Sequence, residues 1–309
     1  MSNVTSVSIR AKSLANGIVV FGGNGKGVAL NQLVQPMYMT MDDDDQTIYI
    51  SDQYNQRVLA WKINATQGKI VAGGNGRGVN LNQFQFTFGV AIDKKNDSLI
   101  IADYRNRRVV RWARRNGTAG ETIISDIECW GLAMDSSGYI YTADPSRHEV
   151  RRWAIGETDG TLIAGGYGPG FGLDQLNHPR GVYIDRNDTI YIADPGNHRI
   201  LKLTKGAKLP TIAAGGRGPG NSLLQLNNPV GSYVDNSGAL YIVDNVNDRV
   251  MRWRPGAIQG EVFIGGNGRG NKPNQLNNPA DITADQYGNF YVLEFDNGRI
   301  KMFPSSELN

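Results

Sequence analysis

Short runs of alternating apolar and polar residues recur along the chain, separated by polar or glycine-rich turns. A clear example runs from Gly181 to Asp185 (Gly-Val-Tyr-Ile-Asp), and a turn at 186–189 separates it from a second apolar run, Ile190–Ala193. Alternation with a period of two indicates half-buried β-strands, and no stretch shows the 3.6-residue period of an amphipathic helix. The pattern therefore predicts an all-β protein built of short strands.

The strand pattern is repeated six times with nearly constant spacing. Each copy has an acidic residue that closes the second apolar run and, five positions further on, a residue that is arginine in five copies. The acidic position is occupied by Asp52, Asp103, Asp144, Asp194, Asp244 and Glu294, with spacings of 51, 41, 50, 50 and 50 residues. Four short strands in a repeat of about 50 residues are typical of a β-propeller blade. We therefore predict a six-bladed β-propeller of four-stranded antiparallel blades.

The first and last copies are incomplete in complementary ways. Copy six ends at Asn309 without a fourth strand, whereas an isolated strand, Ile18–Phe21, precedes copy one. We expect this N-terminal strand to complete the last blade, because ring closure removes the open sheet edges that promote aggregation. Residues 1–309 then form a single propeller domain.

Composition narrows the possible chemistry. Glycine contributes 39 of 309 residues, which fits a turn-rich fold, and no apolar run reaches the roughly 18 residues of a membrane-spanning helix. The net charge of +3 neither requires nor excludes a polyanionic partner. A single cysteine, Cys129, rules out an internal disulfide, and three histidines leave few ligands for a metal centre. We expect no membrane insertion, no metal and no cofactor.

Several residues of copy four resemble the signature of the NHL repeat. They are Asn177-His-Pro179, Gly181, Asp185, Ala193-Asp194 and Asn197-His-Arg199. The resemblance extends over nearly the whole chain and implies a six-bladed propeller. NHL propellers serve several roles: some bind RNA or proteins, as in tripartite-motif ubiquitin ligases, others are sensor ectodomains, and a few, such as peptide-amidating lyases, are enzymes. The several histidines and the disulfides of those lyases are not found in this sequence. Function must therefore be argued from specific residues.

Positions shared by all copies are expected to be structural, because a ligand rarely contacts six equivalent places. Copy three departs most: it is ten residues short, lacks the glycine cluster seen at Gly165–Gly170 and has Glu149 at the arginine position. By analogy with other propellers, residues just before the first strands share one face, near the channel mouth, with the turns between second and third strands. The sequence places an aromatic and arginine-rich patch there, with the composition of an interface core, formed by Tyr54, Phe88, Tyr104, Arg105, Trp130, Arg147, Arg180 and Phe295.

We interpret the chain as a monomeric, non-catalytic recognition module that binds a protein partner through this patch. One alternative is RNA binding, because arginines interleaved with aromatic residues suit phosphate attraction and base stacking. The arginines of blades 2 and 3 that would serve this role are Arg105, Arg107, Arg111, Arg114, Arg115 and Arg151. A second alternative is a metal-dependent lyase or hydrolase with its site at the central channel. The predicted innermost strands carry mainly small and apolar residues, so we assign no catalytic residue.

Sequence signals for the cellular compartment point in two directions. The N-terminus shows no signal-peptide pattern, which makes the cytoplasm the default expectation. Five Asn-x-Ser/Thr sequons, at Asn3, Asn64, Asn96, Asn116 and Asn187, also permit an extracellular protein.

Overall fold

A computed structural model describes residues 13–308, which form six four-stranded antiparallel sheets. The predicted all-β, six-bladed propeller is confirmed. Each blade uses consecutive strands, and the last blade also takes up the N-terminal strand. The sequon at Asn3 lies outside the described residues. The helical segments of residues 13–308 are single 3-10 turns, and none of them has the length and apolar character needed to cross a membrane.

The strands follow one another from the innermost to the outermost position of each blade. Blade 1 consists of β2 (Tyr38–Asp42), β3 (Thr47–Asp52), β4 (Arg57–Lys62) and β5 (Lys69–Gly73). Blade 2 consists of β6 (Thr87–Asp93), β7 (Ser98–Asp103), β8 (Arg108–Ala113) and β9 (Gly120–Ser125). Blade 3 consists of β10 (Gly131–Met134), β11 (Ile140–Asp144), β12 (Glu149–Trp153) and β13 (Thr161–Gly165).

The second half of the ring repeats this order. Blade 4 consists of β14 (Val182–Ile184), β15 (Ile190–Asp194), β16 (Arg199–Leu203) and β17 (Thr211–Gly215). Blade 5 consists of β18 (Pro229–Val234), β19 (Leu240–Asp244), β20 (Arg249–Trp253) and β21 (Glu261–Gly265). Blade 6 consists of β22 (Pro279–Ala284), β23 (Phe290–Glu294), β24 (Arg299–Phe303) and, outermost, β1 (Ile18–Gly22).

The N-terminal strand closes the ring as predicted. Strand β1 pairs antiparallel with β24, with Ile18 opposite Met302 and Phe21 opposite Ile300. Phe21 is buried and its ring lies 5.1 Å from the ring of Trp61 in blade 1. The closing strand therefore contributes both ladder hydrogen bonds to blade 6 and apolar contact to blade 1.

In four of the six blades, the repeated acid–arginine pair connects a turn to the preceding crossover loop. In blade 4, Arg199 Nε donates to Asp194 at 2.8 Å, and its other nitrogens donate to the backbone carbonyls of Phe171, Gly172 and Gln175. Blades 1, 2 and 5 contain the same arrangement. In these four blades, each nitrogen of the guanidinium has a protein acceptor, so these arginines serve the fold.

Blade 3 lacks this arrangement for a geometric reason. The connection between β9 and β10 covers only residues 126–130, whereas that between β5 and β6 covers 74–86. Without a long loop there are no carbonyls for an arginine to bind, and Glu149 at this position pairs with Arg151 at 2.8 Å. The short connection thus explains the loss of arginine from the column.

Candidate functional site

The chain enters the innermost strand of every blade on the same face of the ring, which we call the entry face. Because adjacent strands in each blade are antiparallel, the turns between second and third strands lie on this face too. The hairpins between first and second strands lie on the opposite face, which we call the hairpin face. The predicted patch residues therefore all belong to the entry face, at the start of strand β6 or in connections and turns of blades 1, 2, 3, 4 and 6.

Three aromatic side chains of the predicted patch pack together on the entry face. The ring centroid of Phe88 lies 4.8 Å from that of Tyr104 and 4.4 Å from that of Trp130, and Tyr104 and Trp130 are 5.5 Å apart. Phe88 is buried beneath the other two, which remain partly exposed. We call these three residues the aromatic trio; they join the entry of blade 2, a turn of blade 2 and the entry of blade 3.

Two arginines stack on the trio. The guanidinium carbon of Arg180 lies 4.6 Å from the ring centroid of Trp130, and that of Arg105 lies 5.5 Å from the centroid of Tyr104. Within the described residues, neither guanidinium has an ion pair or a hydrogen-bond acceptor. Burial without an acceptor lowers the pKa of Arg180. The patch thus holds cations that the rest of the fold does not neutralise.

A third stack adjoins the trio and was not predicted from the sequence. Phe86 contacts Tyr54, with ring centroids 5.4 Å apart, and Arg77 lies over the Phe86 ring at 5.2 Å. Phe86 adopts a left-handed backbone conformation with φ 66°, which is unfavourable for a bulky residue. Equivalent positions carry a polar residue suited to turns, namely Gln35, His178, Asn228 and Asn278. The aromatic residue at a position where four other blades have a polar residue is the sequence signal that could have identified Phe86 as part of the site.

The remaining predicted patch residues lie elsewhere or are already paired. Arg147 forms an ion pair with Asp126 at 2.8 Å. Phe295 packs against the apolar cluster between blades 6 and 1. The structure therefore brings together six of the eight predicted residues, as the trio with Arg105 and Arg180 and, beside it, Tyr54.

The arginines proposed for RNA binding are mostly neutralised by carboxylates. The pairs are Arg107 with Asp126 and Glu128, Arg111 with Glu121, Arg114 with Asp42 and Asp97, Arg115 with Asp97, and Arg151 with Glu149. Arg105 alone among the six has no ion pair within residues 13–308. Strand pairing explains one case directly, because Arg111 and Glu121 stand opposite each other on β8 and β9. These arginines do not form an uncompensated basic surface.

The central channel contains a cavity of about 880 Å³. Its walls are mainly apolar residues of the innermost strands, such as Val90, Leu132 and Val182. Asp281 stands where four blades have glycine, and it accepts backbone N–H bonds from Met39 and Ile282, each at 2.9 Å. Burial raises the pKa of Asp281 to about 7. Within residues 13–308, no group of three His, Cys, Asp or Glu side chains is close enough to bind one metal ion.

Two of the three histidines connect neighbouring blades. His148 Nδ1 accepts the backbone N–H of His178 at 3.0 Å, and His198 Nδ1 accepts that of Asn228 at 3.2 Å. Asp248 accepts the N–H of Asn278 at the equivalent position. Since an acceptor imidazole must be neutral, these histidines have a structural use, and burial lowers the pKa of both.

The closed ring of six four-stranded sheets defines the molecule as a six-bladed β-propeller. Residues 176–203, in blade 4 and the connection before it, match the NHL repeat family, and the four-stranded blade recurs six times around the ring. The chain therefore contains an NHL repeat at residues 176–203 within a six-bladed β-propeller.

Solved structures share the fold at low sequence identity. A protein of unknown function from Bacteroides thetaiotaomicron is 16% identical, with a TM-score of 0.74 over 94% of this chain and 75% of that one. An auxiliary nutrient binding protein from the same organism is 15% identical, with a TM-score of 0.71 over 93% and 75%. A gluconolactonase from Xanthomonas campestris is 14% identical, with a TM-score of 0.65 over 95% and 96%. A search of curated proteins found no match in sequence. These similarities concern the fold alone.

Proposed function

We propose that this propeller is a non-catalytic recognition module that binds a protein partner through the entry face of blades 1 to 4. The observation that carries the proposal is a row of three arginine–aromatic stacks, Arg77 on Phe86, Arg105 on Tyr104 and Arg180 on Trp130. Aromatic residues and arginine are the residue types enriched at the energetic centres of protein interfaces. The guanidinium groups of Arg105 and Arg180 have no acceptor within residues 13–308, and they are available to a partner.

The stacking geometry favours a protein over RNA. Base recognition in single strands requires an open aromatic face, and here a guanidinium already lies over one face of each of Phe86, Tyr104 and Trp130. The rings of the trio also pack against one another at tilted angles of 38° to 76°. The experiment must therefore distinguish protein binding from RNA binding.

The experiment is affinity capture with the immobilised protein, scored by comparison of variants. Arg105→Glu reverses an exposed charge that has no ion pair among residues 13–308, so we expect it to abolish capture of a specific partner. Arg186→Glu, on the hairpin face, is the matched control, because Arg186 is also exposed and has no ion pair in the described chain. Equal capture by both variants and the wild type would contradict the proposal.

RNA is tested on the same proteins. Binding to a uridine oligonucleotide is measured across a salt series, because phosphate contacts make affinity fall steeply with salt. Tight, salt-sensitive binding that Arg105→Glu removes would favour the RNA alternative instead.

A further inference from the structure

We propose that the partner recognised by the entry face presents a carboxylate group to Arg180, beside the ring of Trp130. The inference rests on the proposed function and specifies its chemistry. An acidic side chain or a free chain terminus could supply the carboxylate, and the two sources are distinguished below.

Arg180 has the properties of an empty anion site. Its guanidinium is mostly withdrawn from water, yet within residues 13–308 none of its N–H groups has an acceptor. Burying a charge without a partner is costly, so such groups concentrate where a ligand supplies the missing interaction. Arg199 differs from Arg180 in this respect, because the buried guanidinium of Arg199 donates to four acceptors within the fold.

Trp130 holds the guanidinium on one side. The guanidinium carbon lies over the ring, 4.6 Å from its centroid, and the N–H groups have no acceptor within residues 13–308. A carboxylate can accept two parallel hydrogen bonds from a guanidinium. The aromatic trio then provides apolar surface beside the charged contact.

A second donor without a partner lies beside the same backbone. The Tyr38 hydroxyl is buried and has no hydrogen-bond partner within the described residues. It lies close to Gly131, since a Cβ on that glycine would be 2.8 Å from Tyr38 Oη and 2.1 Å from the carbonyl oxygen of Arg180. The absence of a side chain at Gly131 thus allows the tyrosine and residue 180 to approach each other.

The surrounding charges favour an acidic partner. Arg107 and Arg147 are balanced by Asp126 and Glu128, so this group of four has no net charge. Arg77, Arg105 and Arg180 have no ion pair within residues 13–308 and leave three positive charges along the aromatic surface. Complementary potential speeds association and selects among partners.

The test uses short synthetic peptides and the fluorescence of Trp130. The other four tryptophans, Trp61, Trp112, Trp153 and Trp253, are at most 4% exposed, so Trp130 is the tryptophan that a ligand can reach. The first probe is Gly-Leu-Glu-Leu-Gly with both ends blocked, and its control has Gln in place of Glu. A third peptide combines the Gln sequence with a free C-terminus, and a fourth carries phosphoserine in place of Glu.

We expect at least one carboxylate peptide to bind roughly tenfold more tightly than the blocked Gln peptide. The Glu peptide identifies a side-chain carboxylate as the source, and the free-terminus peptide identifies a chain end. Arg180→Gln should abolish the preference, Arg180→Lys should retain part of it, and Tyr38→Phe should reduce it about two- to threefold. Arg186→Gln, on the hairpin face, should leave it unchanged.

Several results overturn the inference. They are equal binding of the Glu, Gln and free-terminus peptides, absence of carboxylate binding up to about 10 mM, a preference confined to phosphoserine, or an unchanged carboxylate preference in folded Arg180→Gln. If these results occur while capture of a partner still requires Arg105, the carboxylate inference fails and the proposed function stands. If capture is insensitive to Arg105→Glu, the proposed function fails as well.

Discussion

Replacing Arg180 by methionine should make the protein more stable while it weakens binding. The substitution removes a guanidinium that is largely buried and has no acceptor in the described part of the chain. Methionine is unbranched, so it can keep the apolar contact with the Trp130 ring. A residue kept for ligand binding often costs stability in the free protein.

The expected magnitude follows from three contributions. Leaving a buried charged donor without a partner costs about 2–3 kcal/mol, which the substitution recovers. The stack on Trp130 at 4.6 Å contributes about 1 kcal/mol of cation–π attraction, which is lost. A methionine–aromatic contact returns about 0.5 kcal/mol. The net expectation is a gain of roughly 1.5–2.5 kcal/mol, or about 2–4 °C in Tm for a chain of this size.

Thermal and denaturant unfolding of wild type and Arg180→Met measure the difference. Arg186→Met is the control, because an exposed substitution away from any contact should change stability by less than about 0.5 kcal/mol. A loss of 1 kcal/mol or more in Arg180→Met would show that the guanidinium serves the fold, and the argument for an unfilled anion site would then fail.

Three further predictions concern the scaffold. The pKa values of His148 and His198 lie below that of an unfolded histidine. Their contribution to folding stability is therefore present above about pH 6.5 and is lost as the pH falls through the pKa values of the folded protein. Between pH 7.5 and pH 5, the melting temperature should fall more in the wild type than in the double variant His148→Asn, His198→Asn. Arg199→Met should cost about 3–5 kcal/mol because it leaves the Asp194 carboxylate buried and unpaired, and adding Asp194→Asn should recover part of this loss in a double-mutant cycle followed by urea unfolding. Gly131→Ala should lower Tm and weaken partner binding together, because the new Cβ meets a carbonyl oxygen of blade 4 at 2.1 Å; an unchanged melting curve would contradict this.

The fold could be predicted from the sequence because each repeated position has one structural use. The acid and arginine that recur five residues apart set the register of six blades, and their contacts in the structure account for both residue types. The isolated strand before copy one predicted ring closure, because without that strand β24 would have no partner on its outer side. Local patterns of this kind depend on the chain alone and need no knowledge of side-chain geometry.

The candidate site was only partly predictable, because it depends on which charges are already paired. Six arginines within 105–115 suggest a basic surface, yet cross-strand and turn carboxylates neutralise most of them, as Glu121 does for Arg111. The place of Phe86 in the site could not be predicted from the strand pattern, because it depends on contacts with Tyr54 and Arg77. Those contacts arise from the meeting of two blades, which spacing along the sequence does not describe.

The position of the candidate site follows from the one place where the repeat is interrupted. In four blades, a column arginine binds the crossover loop on the entry face, and each nitrogen of its guanidinium has an acceptor. Between blades 2 and 3 the connection is too short for that loop, and its own carboxylates, Asp126 and Glu128, instead neutralise Arg107 and Arg147. Because those carboxylates are used there, none pairs with Arg105 or Arg180 within the described chain. The shortened repeat therefore leaves the aromatic trio flanked by unpaired cations, at a boundary where no crossover loop has to be bound.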